Sequence, residues 1–129
     1  MATPAGIGEG FAPGRYAIDA YGRGGFRFGA YSHRGSILAL PSGTHAWAVS
    51  SLPDLRLDDL SAIFTEAPPL EFLILGTGAS VGRVPEAIRT ACREAGISLD
   101  AMQTGPGART YNVLLAENRR VGAALMAVE

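Results

Sequence analysis

Glu71-Phe72-Leu73-Ile74-Leu75-Gly76-Thr77-Gly78 (EFLILGTG) is the stretch whose reading decides the fold. Glu71 to Leu75 is a short, nearly continuous apolar run, the pattern of a strand buried on both faces. Gly76-Thr77-Gly78 then turns the chain. A helical stretch follows, with Pro85 near its first turn and Gly96 just past its end. Val84, Ile88, Ala91, Cys92 and Ala95 fall on one side of it. Ile97 to Met102 (ISLDAM) reads as the next strand. Strand, glycine turn, helix and strand make a βαβ unit, which predicts two parallel strands with a right-handed crossover. Gln103 to Gly107 is read as a polar turn, and a helix is expected from about Ala108 to Glu117. Asn118 can end that helix in the left-handed region. Arg119 to Val128 is read as a last buried strand, although its Ala, Leu and Met residues also suit a helix.

Upstream of this stretch, Ile18 to Phe28 (IDAYGRGGFRF) reads as strand interrupted by glycine, with Ile18, Ala20, Phe26 and Phe28 in period two. Ser36 to Leu40 and Ala46 to Val49 are further short strands. Leu57, Leu60, Ile63 and Phe64 have helical spacing, with Asp58 and Asp59 at the positive end of the dipole. Pro68-Pro69 stops that helix. The expected architecture is a three-layer α/β single domain. An N-terminal antiparallel β-meander joins a β-α-β-α-β half around a central mixed sheet. Residues 1–15, rich in Gly, Ala and Pro, are expected to be a flexible tail, and 16–129 the domain.

The 129 residues are 47% apolar and 18% charged, with a formal net charge of −1. That is one soluble domain with one core, not a disordered chain. The charge balance excludes a generic polyanion binder, and no nucleic-acid partner is expected. All 11 basic residues are Arg. The one cysteine, Cys92, excludes an intrachain disulfide and reads as a small buried hydrophobe. No segment has the layout of a secretory signal, and no run reaches the length of a membrane span. A cytoplasmic, bacterial protein is expected.

Gly76-Thr77-Gly78 sits where open α/β sheets bind ligands, at the carboxyl end of a strand. The dinucleotide fingerprint would need a third glycine at position 81, which is Val81, and Gly82 comes one residue late. The turn is therefore either a tight packing turn or a small-anion site. Thr104 to Asn112 (TGPGARTYN) is the second polar cluster, and its loop is expected at the same sheet edge. There Arg109 could clamp a carboxylate or phosphate, with Thr104 and Thr110 offering hydroxyls. His33 and His45 are the only histidines, too few with one cysteine for a zinc site, so neither metal nor cofactor is expected. A Ser-His-Asp arrangement has no support in spacing, and Asp58-Asp59 reads as a helix start rather than as paired acids. Tyr16, Tyr21, Phe26, Phe28 and Tyr31 with Arg23, Arg27 and Arg34 read as core plus a protein-binding edge. Self-association through an exposed sheet edge is one further expectation.

EFLILGTG, GISLDAM and ARTYNVLLAENRRVGAAL, with GGFRFG, SILALPSG and Trp47 before them, resemble a small α/β domain family. It is the family that includes mitochondrial respiratory complex I assembly factor 3, and its bacterial and archaeal members form a domain of unknown function. The resemblance spans about Ile18 to Met126. It implies a three-layer fold with a central mixed sheet, in which the ends of the GTG strand and the RTYN helix meet. It carries over Gly76, Thr77 and Gly78 from one motif, and Arg109, Thr110, Tyr111 and Asn112 from the other. Ala108 stands where many members have cysteine, so thiol chemistry there is absent. Gln103 replaces a frequent aspartate, and Asn118 a glycine. The resemblance implies a non-enzymatic assembly or interaction factor with protein partners, associated with membranes only through them. A small-molecule or anion-binding protein, enzyme or not, is the alternative.

Overall fold

Alternate residues of the central strands point into two different cores. In Ile37-Leu38-Ala39-Leu40 every side chain is buried, but Leu38 and Leu40 join one apolar cluster and Ile37 and Ala39 the other. Leu73 and Leu75 likewise oppose Ile74, and Ala124 opposes Ala123 and Leu125. A sheet buried on both faces must be covered on both, and this one is.

The computed structural model describes residues 6–7 and 10–129. In order the strands and α-helices are β1 (Phe11–Pro13), β2 (Ile18–Gly22), β3 (Gly25–Phe28), β4 (Tyr31–Arg34), β5 (Ser36–Leu40), β6 (Gly43–Trp47), β7 (Phe72–Gly76), α1 (Glu86–Glu94), β8 (Ser98–Met102), α2 (Thr104–Ala116) and β9 (Val121–Leu125). A 3₁₀ turn (Leu52–Asp54) and a 3₁₀ helix (Leu57–Thr65) lie between β6 and β7. The six-stranded sheet has the order β1-β6-β5-β9-β7-β8. β7 pairs in parallel with both β8 and β9, while β5 pairs antiparallel with β6 and β9. The sheet is therefore mixed, as expected. α1 and the 3₁₀ helix bury Ile88, Cys92, Leu60 and Ile63 on one face. α2 and the antiparallel sheet β2-β3-β4 bury Tyr111, Phe26 and Phe28 on the other. The three-layer α/β architecture holds.

Four local expectations change. The meander divides: β2, β3 and β4 form a sheet of their own, and only β5 and β6 enter the central one. The positive φ of Arg23, Gly24 and Gly29 marks the tight turns that fold this small sheet back on itself. The polar turn expected over Gln103 to Gly107 is mostly helix, because α2 starts at Thr104. Pro106 is its third residue, where no intrahelical N–H bond is needed. The helix from Leu57 is 3₁₀, and the spacing of Leu57, Leu60 and Ile63 is three, the period of that helix. The expected tail 1–15 also contains β1. Phe11 to Pro13 pair with Gly43 to His45, Ala12 is fully buried, and the Phe11 ring lies 4.6 Å from the His45 ring. The rest of that expectation, at residues 1–5 and 8–9, lies outside the described residues.

Candidate functional site

β7 ends against two neighbours that continue past it. Thr77 N–H donates to the Met102 carbonyl at 2.8 Å, and Met126 N–H donates to the Gly76 carbonyl at 2.9 Å. Gly78 then takes φ +90°, a left-handed region that glycine enters at no steric cost, and the chain leaves the sheet. Its N–H donates to Thr104 Oγ1 at 3.0 Å, and Thr104 N–H donates back to its carbonyl at 2.9 Å. Thr104 is fully buried, and its hydroxyl donates to the Met126 carbonyl at 2.7 Å. The first residue of α2 thus ties together the ends of β7 and β9. Gly76 leaves no room here: a Cβ would lie 2.8 Å from Leu125 Cδ2 and 3.1 Å from Thr104 Cα. Gly76, Thr77, Gly78 and Thr104 are brought together.

The other expected residues lie along α2, away from this turn. Arg109 is exposed, and its Nη1 donates to Tyr21 Oη at 3.4 Å, on the small sheet. Thr110 Oγ1 donates to Met102 Sδ at 3.5 Å. Tyr111 is buried, its hydroxyl donates to the Tyr16 carbonyl at 3.3 Å, and burial pushes its pKa up to about 12. Asn112 clamps the backbone of Ile18: Oδ1 accepts from Ile18 N–H and Nδ2 donates to its carbonyl, both at 2.8 Å. Tyr111 and Asn112 hold the small sheet against α2.

The glycine turn opens on a cleft of about 860 Å³, lined by residues 50–53, 77–83, 85 and 127–129. Leu52, Pro53, Val81, Pro85, Ala127 and Val128 make its walls mainly apolar. Val81 is 71% exposed, an apolar side chain left open to whatever enters. Thr77 Oγ1 donates to the Ser80 carbonyl at 2.6 Å, so its hydroxyl holds the loop rather than facing the cleft as a free donor. Arg83 is the basic side chain on the wall and Glu129 the acidic one. Sequence reasoning missed Arg83, residues 50–53 and residues 127–129. The only local signal was that Arg83 is the first basic residue after the glycine turn.

Arg119 and Arg120 find their role at the far end of β7. Arg119 Nη2 lies 3.2 Å from Glu71 Oε1, and Arg120 N–H donates to Glu71 Oε2 at 3.0 Å. Arg119 also caps the Phe72 ring at 4.8 Å. These donors, the Arg120 backbone first and the Arg119 side chain next, hold the Glu71 carboxyl below its ordinary value. Neither histidine lines the cleft. Burial lowers the pKa of His33 on β4, against a smaller upward effect of its contact with the Ser36 backbone. Among the described residues there is no group of three or more His, Cys, Asp or Glu able to hold a metal ion. No described helix is long and apolar enough to cross a membrane.

The profile of a family described as "Protein of unknown function (DUF498/DUF598)" matches residues 18–126. An uncharacterised protein of Rhodobacter capsulatus is 40% identical over 117 residues, 91% of this chain and 88% of its own length. Human NADH dehydrogenase [ubiquinone] 1 alpha subcomplex assembly factor 3 is 31% identical over 109 residues. That match takes in 84% of this chain, which spans only 59% of the human protein. A crystal structure described as an outer membrane protein from Bartonella henselae superposes with a TM-score of 0.85 at 49% identity. It covers 91% of this chain and 98% of its own.

Proposed function

The chain belongs to the DUF498/DUF598 family of proteins of unknown function, and from that membership we propose that it is a non-catalytic assembly or interaction factor. Its partners are proteins of respiratory-complex or membrane-protein biogenesis, met on the cytoplasmic side. The observation that carries this reading is the likeness to complex I assembly factor 3, which runs through 84% of the chain rather than through one motif. The small sheet suits a docking face. Tyr21 is 42% exposed and bonded to Arg109. Among the described residues, Arg23, Arg27, Arg34 and Arg109 have no carboxylate within 4.0 Å. Tyr and Arg are the residue types that anchor interfaces, and unpaired guanidinium groups steer acidic partners.

A tagged pull-down at native expression level, from membrane and soluble fractions, tests the proposal. Reproducible recovery of respiratory-complex or insertion-machinery subunits is expected, with loss on Arg109→Ala. A clean preparation with no reproducible partner would sink it.

A second reading is favoured by one observation, the cleft at the glycine turn. In that reading the chain binds a small anionic molecule there. Arg109, expected to complete such a site, is not on the cleft wall, and Arg83 takes that place.

A further inference from the structure

The two edges of the six-stranded sheet differ. β1 is three residues long and ends in Pro13, which has no N–H to offer. β8 is five residues long, contains no proline and keeps an unbroken parallel register with β7. Ser98 N–H donates to the Glu71 carbonyl at 2.9 Å, and Thr77 N–H donates to the Met102 carbonyl at 2.8 Å. Bonding alternates along a strand in a parallel pair. Ser98, Asp100 and Met102 therefore face β7, and the N–H and C=O groups of Leu99 and Ala101 point away from the sheet. Among the described residues no strand lies beyond them.

The two faces beside this edge differ in charge. Leu99 and Ala101 pack on the side of α1. There a recess of about 220 Å³ is lined by Arg89 and Arg93 of α1 and by Ile97 and Leu99, with no residue of β7, so it opens outward from the edge. Among the described residues Arg89 has no carboxylate within 4.0 Å, and Arg93 meets only Glu86, at 4.0 Å with both side chains exposed. Asp100, exposed on the other face, is the one charged side chain of β8. We propose that β8 takes an extended segment of a partner protein as an added strand, with a carboxylate side chain of that segment at Arg89 and Arg93. Strand addition supplies main-chain bonds to Leu99 and Ala101 and reads alternate side chains. An added strand lies about 4.8 Å from β8, so every second side chain of it sits over the recess. The matching segment is acidic or apolar on that side and free of carboxylates on the side of Asp100. A second copy of this chain is a poor match. Pairing β8 with its own copy about a two-fold axis normal to the sheet would gather Arg89 and Arg93 of both chains on one side, and such like-charge contact is costly. The edge shares no residue with the Tyr21 and Arg109 face, so either reading can fail without the other.

The test titrates the full chain with the end-blocked peptide Thr-Glu-Lys-Val-Thr-Glu-Thr, followed by amide NMR. The peptide is expected to shift the amides of Leu99 and Ala101 and to slow their exchange with solvent. N-methylating either its even or its odd residues should abolish binding for one set and spare it for the other, because only one set faces β8. Arg89→Gln and Arg93→Gln should each weaken binding about two- to fivefold, the range of an exposed ion pair. Equal binding of both methylated forms, or of the charge-reversed peptide Thr-Lys-Glu-Val-Thr-Lys-Thr, would overturn the proposal. Acetate alone reproducing the shifts would overturn it in favour of a small-anion site. A dimer in sedimentation, with the Leu99 and Ala101 amides already protected, would overturn it in favour of a second copy. No shift at Leu99 and Ala101 with millimolar peptide would remove the edge as a docking site.

Discussion

Gly78 and Thr104 exchange a reciprocal pair of backbone-anchored hydrogen bonds across 26 positions of sequence, at 3.0 and 2.9 Å. The pair closes the turn that leaves β7 onto the first residue of α2. Thr104 adds a third bond, to Met126, so one buried hydroxyl serves both strands beside it. Thr104→Val keeps the shape and removes the hydroxyl. It leaves the Gly78 N–H and the Met126 carbonyl without that partner, at a cost of roughly 1–3 kcal/mol in chemical denaturation.

Gly76→Ala tests the close approach on the other side of that turn. The added methyl meets Thr104 Cα at 3.1 Å and Leu125 Cδ2 at 2.8 Å. Overpacking of this kind costs about 1–3 kcal/mol. Urea midpoints unchanged from wild type would contradict it.

Asn112→Ala removes both bonds to Ile18, the first residue of β2. The small sheet is expected to loosen before the central one, since both side-chain hydrogen bonds of Asn112 go to β2. Amide hydrogen exchange should quicken through β2 and β3 and stay slow in β7 and β9. Uniform acceleration across both sheets would show that the two unfold as one unit.

Glu71 predicts an acid-side effect. Its folded pKa lies below the ordinary 4.5, through the Arg120 N–H first and the Arg119 side chain second. The folded state therefore binds the proton less readily than the unfolded chain. The contribution is present above 4.5 and is lost as pH falls through the lower folded value. Thermal scans should find Glu71→Gln less stable than wild type at neutral pH. That gap should close on acidification, and high salt should narrow it too, because the pair is partly exposed. A gap independent of pH would assign the effect to packing.

Cys92 is buried on α1 against the sheet, and burial pushes its thiol pKa up. A thiol reagent at neutral pH should label it slowly in the native protein and at once in denaturant. Rapid native labelling would mean that α1 lifts from the sheet.

The second half of the fold was legible because its punctuation is local. EFLIL, the turn at Gly76 to Gly78, Gly96 and Asn118 each mark a boundary within a few residues. Asn118 does take φ +60° at the end of α2. The first half was less so. Whether β2, β3 and β4 join the central sheet depends on what Phe26 and Phe28 pack against, and periodicity does not say. β1 is three residues long, too short to carry a pattern. The site divided the same way. Placing Gly76 to Gly78 beside Thr104 followed from topology alone. Placing Arg109 required the helical phase, and α2 starts about four residues before the expected Ala108. Arg109 then lies in the second turn and reaches Tyr21. Arg83 was hidden because its loop packs by long-range contact: a Cβ on Gly82 would lie 2.6 Å from Leu52 Cδ2, 30 positions upstream.

β9 is the latest strand in chain order, yet it lies in the interior of the sheet, between β5 and β7. Until Val121 to Leu125 are in place, the hairpin of β5 and β6 and the parallel pair β7 and β8 have no strand in common. During synthesis both halves wait with an additional open edge, β5 on one and β7 on the other, exposed to pairing with the wrong chain. Completion of the sheet therefore falls after translation of this segment, and a ribosome stalled before Val121 would hold two unjoined halves rather than a smaller version of the fold.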